Sequence, residues 1–322
     1  MSVILTESTS NITQEDISNN RIQHLLQYTN SSKIYRSLIQ TLRRGFNNSK
    51  KHNILFTTML RRINNLLGND TVIYVYIHNF LNEFIYPISG TPNNESASRA
   101  NKRVATIKEL LSIVNIEALD TYVDIGCSAG GITWRVGTSL GVSANNTYGV
   151  DVIESSKVGN TGKFNYIQLA NMQQSLPFNS GSVQLITMLM SLHHIREPIA
   201  YLKESYRALS PGGILIVREH DCDSIADPEM GLLLDVLHGL YCISWNKTGS
   251  LEDVHFSHTH YAQYKSRDTW TKLITDIGFV HSTSDPYISK LYNMSQIPRK
   301  YAHRHYIPNV YLSYWAVYIK PL

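Results

Sequence analysis

The residues best suited to chemistry fall in three short runs of this 322-residue chain. The first is Asp124-Ile125-Gly126-Cys127-Ser128-Ala129-Gly130-Gly131, a carboxylate followed by a glycine-rich turn. Glycine admits φ > 0 and lets a ligand approach the backbone closely, so such a turn suits a nucleotide-like ligand. The second run is Ser191-Leu192-His193-His194, with two imidazoles that can take or give a proton near neutral pH. The third is Glu219-His220-Asp221-Cys222-Asp223. These types can orient a polar substrate, and they permit a metal, but their spacing matches no closed zinc pattern. A polar substrate pocket without a metal is the expectation. His255, His258 and His260, with Tyr261, form a further cluster that reads as solvated side chains.

These runs need elements to position them. Residues 100–114 have the pattern of an amphipathic helix. Short apolar runs then alternate with helical segments: strands at 121–125, 147–152, 164–169, 183–188 and 214–217, and helices starting at Gly130 and Glu197. Alternation of this kind predicts a parallel sheet covered by helices on both faces, an α/β doubly wound fold. The strands are apolar without strict alternation, which fits burial on both sides. Residues 14–86 read as mostly helical, and residues 89–94 as a linker. The expected organisation is a helical N-terminal region over 1–95 and a catalytic domain over 96–322, with an insertion at about 224–266. That insertion is rich in aromatic and histidine side chains, among them Tyr241, Trp245 and Tyr264. They could stack on a planar substrate or form an extra packed layer.

The glycine turn follows the first strand of the predicted sheet, where open α/β sheets bind ligands. Asp151 ends the next strand, 25 residues after Gly126. A carboxylate there can accept hydrogen bonds from both ribose hydroxyls. Either a nicotinamide dinucleotide or S-adenosylmethionine satisfies these two features. Asp124 separates them. Dinucleotide folds usually carry an apolar residue before the first glycine, whereas an acid suits a ligand with a positive amino-acid end. The alternative to this cofactor reading is that Asp124 is a structural cap on the turn.

Over about residues 100–220 the sequence resembles the class I S-adenosylmethionine-dependent methyltransferases, the type 11 group in particular. The resemblance rests on the glycine turn, Asp151, Leu176-Pro177-Phe178, the run from Leu189 to Ile195, and Leu209-Ser210-Pro211-Gly212-Gly213. It implies a seven-stranded methyltransferase sheet. It also implies a cofactor site formed by Asp124, Gly126, Cys127, Ser128, Gly130, Asp151, Val152, Asn171, Met172 and Met188. The family commonly has Asp at the position of Asn171, and an Asn carbonyl can still accept from an adenine amino group. His193 and His194 would lie above the methyl group, and His220 at the same rim. All three are candidate catalytic residues. Residues 270–279 and 314–318 resemble the last helix and the closing strand of the family.

Several chemistries are disfavoured. Met188-Leu189-Met190-Ser191 lacks the Asn/Asp-Pro-Pro-Tyr run used on exocyclic base nitrogens, the acid used on ribose hydroxyls, and the Pro-Cys used on cytosine C5. Guanine N7 of an RNA cap needs no general base and remains open. A small-molecule or protein acceptor remains open too, as does a non-catalytic RNA-binding or assembly subunit.

The bulk composition narrows the setting. The chain is 43% hydrophobic and 17% charged, with formal net charge +4. That suits a folded protein that is only mildly basic. The basic residues are concentrated. Arg43, Arg44, Lys50, Lys51, Arg61 and Arg62 lie in a stretch without an acid between Asp16 and Asp70, a possible RNA contact. Arg299, Lys300 and Arg304 form a second cluster among Tyr301 and Tyr306. Three cysteines cannot make a disulfide framework. Neither a signal peptide nor a membrane span is recognisable, so a cytoplasmic location is expected. The richness in asparagine, isoleucine and tyrosine suggests an AT-rich genome, such as a viral one.

Overall fold

The computed structural model describes residues 50–65, 76, 79–80, 83, 97–116, 118–153, 155–159, 162–169, 175–222, 231, 234, 262–283, 285–293 and 313–322. The chain divides into two compact units. One comprises residues 93–228 and 261–322, the other residues 1–92 and 229–260.

The first unit is built on a seven-stranded sheet in the order β3-β2-β1-β4-β5-β7-β6. Its strands are β1 (Tyr122–Ile125), β2 (Thr147–Asp151), β3 (Asn165–Gln168), β4 (Val183–Leu189), β5 (Leu209–His220), β6 (Val280–His281) and β7 (Ser313–Ile319). Strands β1 to β5 pair in parallel, and β7 runs antiparallel between β5 and β6. The order reverses between β1 and β4. The connections on either side of that point leave in opposite directions, the position at which open α/β sheets bind ligands.

Helices cover both faces. On one face lie α2 (Ala97–Ile113), α3 (Thr133–Ser139) and α6 (Pro286–Tyr292). Ile107, Leu110 and Leu111 of α2, Val136 of α3 and Ile288 of α6 join Tyr122, Leu185, Ile214, Ile216 and Val317 in one core. On the other face lie α4 (Pro198–Ala208) and α5 (Arg267–Thr275). Tyr201 and Leu202 of α4 and Trp270 and Ile274 of α5 join Val123, Val150, Ile186, Leu215 and Tyr318 in a second core. The alternation along β5 and β7 decides which residue enters which core. Each buried Leu, Ile or Val adds about 1.5–3 kcal/mol of transfer free energy. The doubly wound α/β architecture expected from the sequence is the one observed.

Local chemistry sets the helix ends. Pro198 occupies the first turn of α4, where a missing N–H costs nothing. The Ser266 side chain caps α5 by accepting from the Thr269 N–H at 3.1 Å. The helix expected from Gly130 begins only at Thr133. Gly130 has φ +78°, which no right-handed helix admits, so the chain completes its turn first. Strand β5 is longer than the expected 214–217 and carries Glu219 and His220 at its end.

In the second unit α1 (Lys50–Asn65) is described. Met59 and Ile63 lie on its buried face, and Phe80 is buried too. No helix among the described residues is long and apolar enough to cross a membrane.

Candidate functional site: the carboxyl edge of the sheet

The turn after β1 is organised by two buried carboxylates. Asp124 lies within β1 and is 3% exposed. One of its oxygens accepts from the Thr133 hydroxyl at 2.7 Å and the other from the Thr187 hydroxyl at 2.7 Å. The Tyr122 hydroxyl lies 2.9 Å from the Thr187 hydroxyl and extends the network. Asp124 thereby ties β1 to α3 and to β4. Burial pushes its pKa up to about 6, and the two threonine hydroxyls oppose that rise.

The second carboxylate, Asp151, ends β2 and is nearly buried. It accepts the Ser128 N–H at 2.7 Å through one oxygen, and the Val152 and Ile153 N–H groups at 2.7 and 3.3 Å through the other. Ser128 has φ +52°, a left-handed conformation that costs a non-glycine residue about 1–3 kcal/mol. The bond to Asp151 helps hold it there. The turn thus presents main chain beside a carboxylate at the ends of two adjacent strands.

The two glycines of the turn are required by the protein's own packing. Gly126 has φ +75°, and a Cβ there would overlap Ser191. Gly130 has φ +78°, and a Cβ there would overlap the Phe164 ring. Ser191 also donates to the Ile125 carbonyl at 2.9 Å. The loop after β4 therefore sits directly against the turn after β1.

That loop bears the second part of the site. Met190 has φ +67°, another strained non-glycine position, and its N–H donates to the Arg218 carbonyl at 2.7 Å. A short helical turn, Leu192–His194, follows. It sets the His193 ring against Glu219 at the end of β5. His193 Nδ1 lies 2.7 Å from Oε1 and 2.8 Å from Oε2 of Glu219. Glu219 also accepts the His193 N–H at 2.9 Å and the His220 N–H at 3.1 Å. His193 is 1% and Glu219 0% exposed. Burial pushes the Glu219 carboxyl up to about 8, against the pull of those two N–H groups and of Arg218.

Planar side chains surround the pair. The His193 ring centroid is 3.9 Å from that of His194, 5.1 Å from His220, and 5.5 Å from Tyr264, on which it stacks at 27°. The next strand carries Tyr314, fully buried and opposite Glu219 in the register. Asp221 accepts the Arg267 N–H at 2.9 Å and so fixes the start of α5.

The structure distributes the expected residues unevenly. Gly126, Ser128, Gly130, Asp151 and Val152 meet at the turn, and His193, His194 and His220 meet at the β4–β5 edge. Asp124 takes the capping role that the sequence left open, because both its oxygens are engaged by threonines within the fold. Cys127 is 5% exposed and packs toward Gly149. Met188 is 0% exposed and belongs to the hydrophobic core between β1 and β5. Asn171, Met172, Arg43, Arg44, the second basic cluster and the histidines at 255–260 lie outside the described residues. Lys50, Lys51, Arg61 and Arg62 are exposed on α1. Among the described residues no group of three or more His, Cys, Asp or Glu side chains is placed to hold a metal.

Sequence reading missed three pairings. Thr133 and Thr187 as partners of Asp124, and Glu219 as partner of His193, are separated by 9, 63 and 26 residues. No local spacing announces them.

The sheet order and the acid-flanked turn define the class I methyltransferase architecture. Residues 95–282, more than half of the chain, match the model of a family described as "Methyltransferase domain". The chain belongs to that family. Among curated proteins it is similar to the demethylmenaquinone methyltransferase of Staphylococcus epidermidis, with 29% identity over 117 residues, 35% of this chain and 48% of that protein. The corresponding enzyme of Lactococcus lactis is 28% identical over 123 residues, 36% of this chain and 47% of that protein. The chain thus spans about half the length of the curated relatives it matches. Among solved structures it is similar to an S-adenosylmethionine-dependent methyltransferase from Mesorhizobium loti. There the identity is 14%, the TM-score 0.41, and the coverage 66% of this chain and 96% of that one.

Proposed function

We propose that this chain transfers a methyl group from S-adenosylmethionine to a small-molecule acceptor presented at the carboxyl edge of β4 and β5. The observation that carries the cofactor assignment is the position of Asp151. It stands at the end of β2 with its carboxylate against the turn that follows β1. These residues fit an adenosyl ligand: a carboxylate for the ribose hydroxyls, and main chain of the 126–130 turn for the amino-acid end. When bound, the cofactor supplies an electrophilic methyl group on a sulfonium. The chain's own part is to orient the acceptor, exclude water and manage any proton that leaves. The reading that the acceptor lies beside His193 is supported by the loop after β4. The strained Met190 and the short turn after it put the imidazole next to Ser191, which touches Gly126.

The acceptor reading favours a small molecule for two reasons. The site has a buried imidazole–carboxylate pair, which guanine N7 does not require. The curated relatives also act on a small molecule by name, demethylmenaquinone. An RNA acceptor is a second reading, favoured by the exposed Lys50, Lys51, Arg61 and Arg62 of α1. It would show as RNA binding that weakens steeply with salt.

Calorimetry with S-adenosylhomocysteine tests the cofactor assignment. Wild type should bind in the micromolar range, Asp151→Asn more weakly and Asp151→Ala most weakly. A folded wild type that fails to bind overturns the proposal.

A further inference from the structure

The second unit carries charge that the methyl-transfer site does not use. Helix α1 holds Lys50, Lys51, Arg61 and Arg62 and has no acid in its 16 residues. The helical period sorts its side chains onto two sides. One side gathers Met59 and Ile63, which are buried. The opposite side gathers Lys50, Ile54, Thr57 and Arg61, with Lys51, Thr58 and Arg62 on its flanks, and all seven are exposed. A shallow depression runs along this side from Lys50 past Ile54 and Thr57 to Arg61. Among the described residues none of the four cations makes an ion pair. Like charges grouped without acids raise the local potential and attract a polyanion.

The threonines between the cations narrow the choice of polyanion. The Thr57 hydroxyl donates to the Asn53 carbonyl at 2.9 Å, and the Thr58 hydroxyl to the Ile54 carbonyl at 2.9 Å. Each has committed its one proton to its own helix and offers a ligand only lone pairs. A phosphate oxygen, itself an acceptor, gains nothing from them. A ribose 2′-hydroxyl does, because it can donate. Lys50 and Arg61 are about 16 Å apart along the axis, with the threonines between. The face therefore reads cation, acceptor, cation. Across the wide, shallow minor groove of an RNA duplex the order is phosphate, 2′-hydroxyl, phosphate. A DNA duplex lacks the middle group. An anionic membrane fits less well, because a helix lying in a lipid interface inserts its apolar side, and that side of α1 is buried.

We propose that the outward face of α1 docks an RNA duplex across its minor groove, with the lysines and arginines on phosphates and the two threonines on ribose 2′-hydroxyls. Such contacts carry no base sequence information. The inference stands apart from the methyl-transfer reading, because RNA held at this face need not be the methyl acceptor.

The test is fluorescence anisotropy of the full chain with a labelled RNA duplex of about 20 base pairs. The DNA duplex of the same sequence, one RNA strand alone and phosphatidylserine vesicles serve as competitors. Wild type should bind the RNA duplex about tenfold more tightly than the DNA duplex, the worth of two ordinary hydrogen bonds. Thr57→Val combined with Thr58→Val should bring the two duplexes to within about twofold. Lys50→Gln, Lys51→Gln, Arg61→Gln and Arg62→Gln combined should weaken the RNA duplex about 100-fold at physiological salt. They should also lower the slope of log affinity against log salt by about 3–4. Every substituted side chain is exposed, so both variants should fold, which far-UV circular dichroism verifies. The ratio of RNA to DNA affinity in wild type needs no variant at all. Any of the following overturns the proposal: no RNA binding, equal affinity for the two duplexes, tighter binding of the single strand or the vesicles than of the RNA duplex, an RNA preference that survives in the threonine variant, or an affinity that the glutamine variant leaves unchanged.

Discussion

The turn after β1 and the edge of β4 and β5 each bury a carboxylate, Asp124 at 3% and Glu219 at 0% exposure, and give it different partners. Asp124 is held by two threonine hydroxyls, which cannot titrate near neutral pH. Glu219 is held by two main-chain N–H groups and by an imidazole, which can. Burial raises both carboxyls, to about 6 and about 8. The consequence differs. A carboxylate among hydroxyls is a brace that fixes three elements. A carboxylate against an imidazole makes a pair that can share a proton. Comparable burial gives a brace in one region and a titratable pair in the other, and the partner decides which.

Four experiments would break or sharpen that contrast. The largest effect is expected at the imidazole pair. For an acceptor with an ionisable hydroxyl, His193→Gln should reduce kcat by about 100- to 10,000-fold. In wild type, kcat/KM should rise with pH and level off above about 8, because Glu219 is raised to that value and the pair must shed its shared proton before Nε2 can act. A flat profile from pH 6 to 9 would count against the pair.

Next is the turn itself. Gly130→Val places a branched side chain at φ +78° against Phe164. It should cost about 2–4 kcal/mol, read as a lower midpoint in denaturant. The third experiment concerns Asp151. Loss of a charged acceptor in Asp151→Ala should weaken S-adenosylhomocysteine about 10- to 100-fold by calorimetry. Equal affinity in the two proteins would mean that Asp151 only shapes the turn.

The smallest effect is a pH slope. The folded-state pKa of Asp124 is raised to about 6 from a model-peptide value near 4, so folding takes up a proton between those values. The resulting stabilisation is complete below pH about 4 and is lost as pH rises through 6. Asp124→Asn should flatten that part of the plot of melting temperature against pH. An unchanged slope would mean that Asp124 stays charged throughout, and the contrast with Glu219 would sharpen.

The sequence by itself determined much of the architecture. Alternating apolar strands and amphipathic helices specify a doubly wound sheet, because each apolar run must be buried and each helix has one apolar face. Glycines 126 and 130 mark the turn, since few other residues accept their φ. Asp151 follows at the distance of one strand–helix–strand unit. All of these signals are local or periodic. Tertiary structure alone decided what the charged groups do. Asp124 became a brace only when Thr133 and Thr187 arrived from α3 and β4. Met188 went to the core because β4 lies between β1 and β5. His193 acquired Glu219 because the parallel pairing of β4 with β5 brings their carboxyl ends together. A hydrogen bond between residues 26 apart, one on the loop after β4 and the other on β5, leaves no period in the sequence, so partner choice is written in the packing.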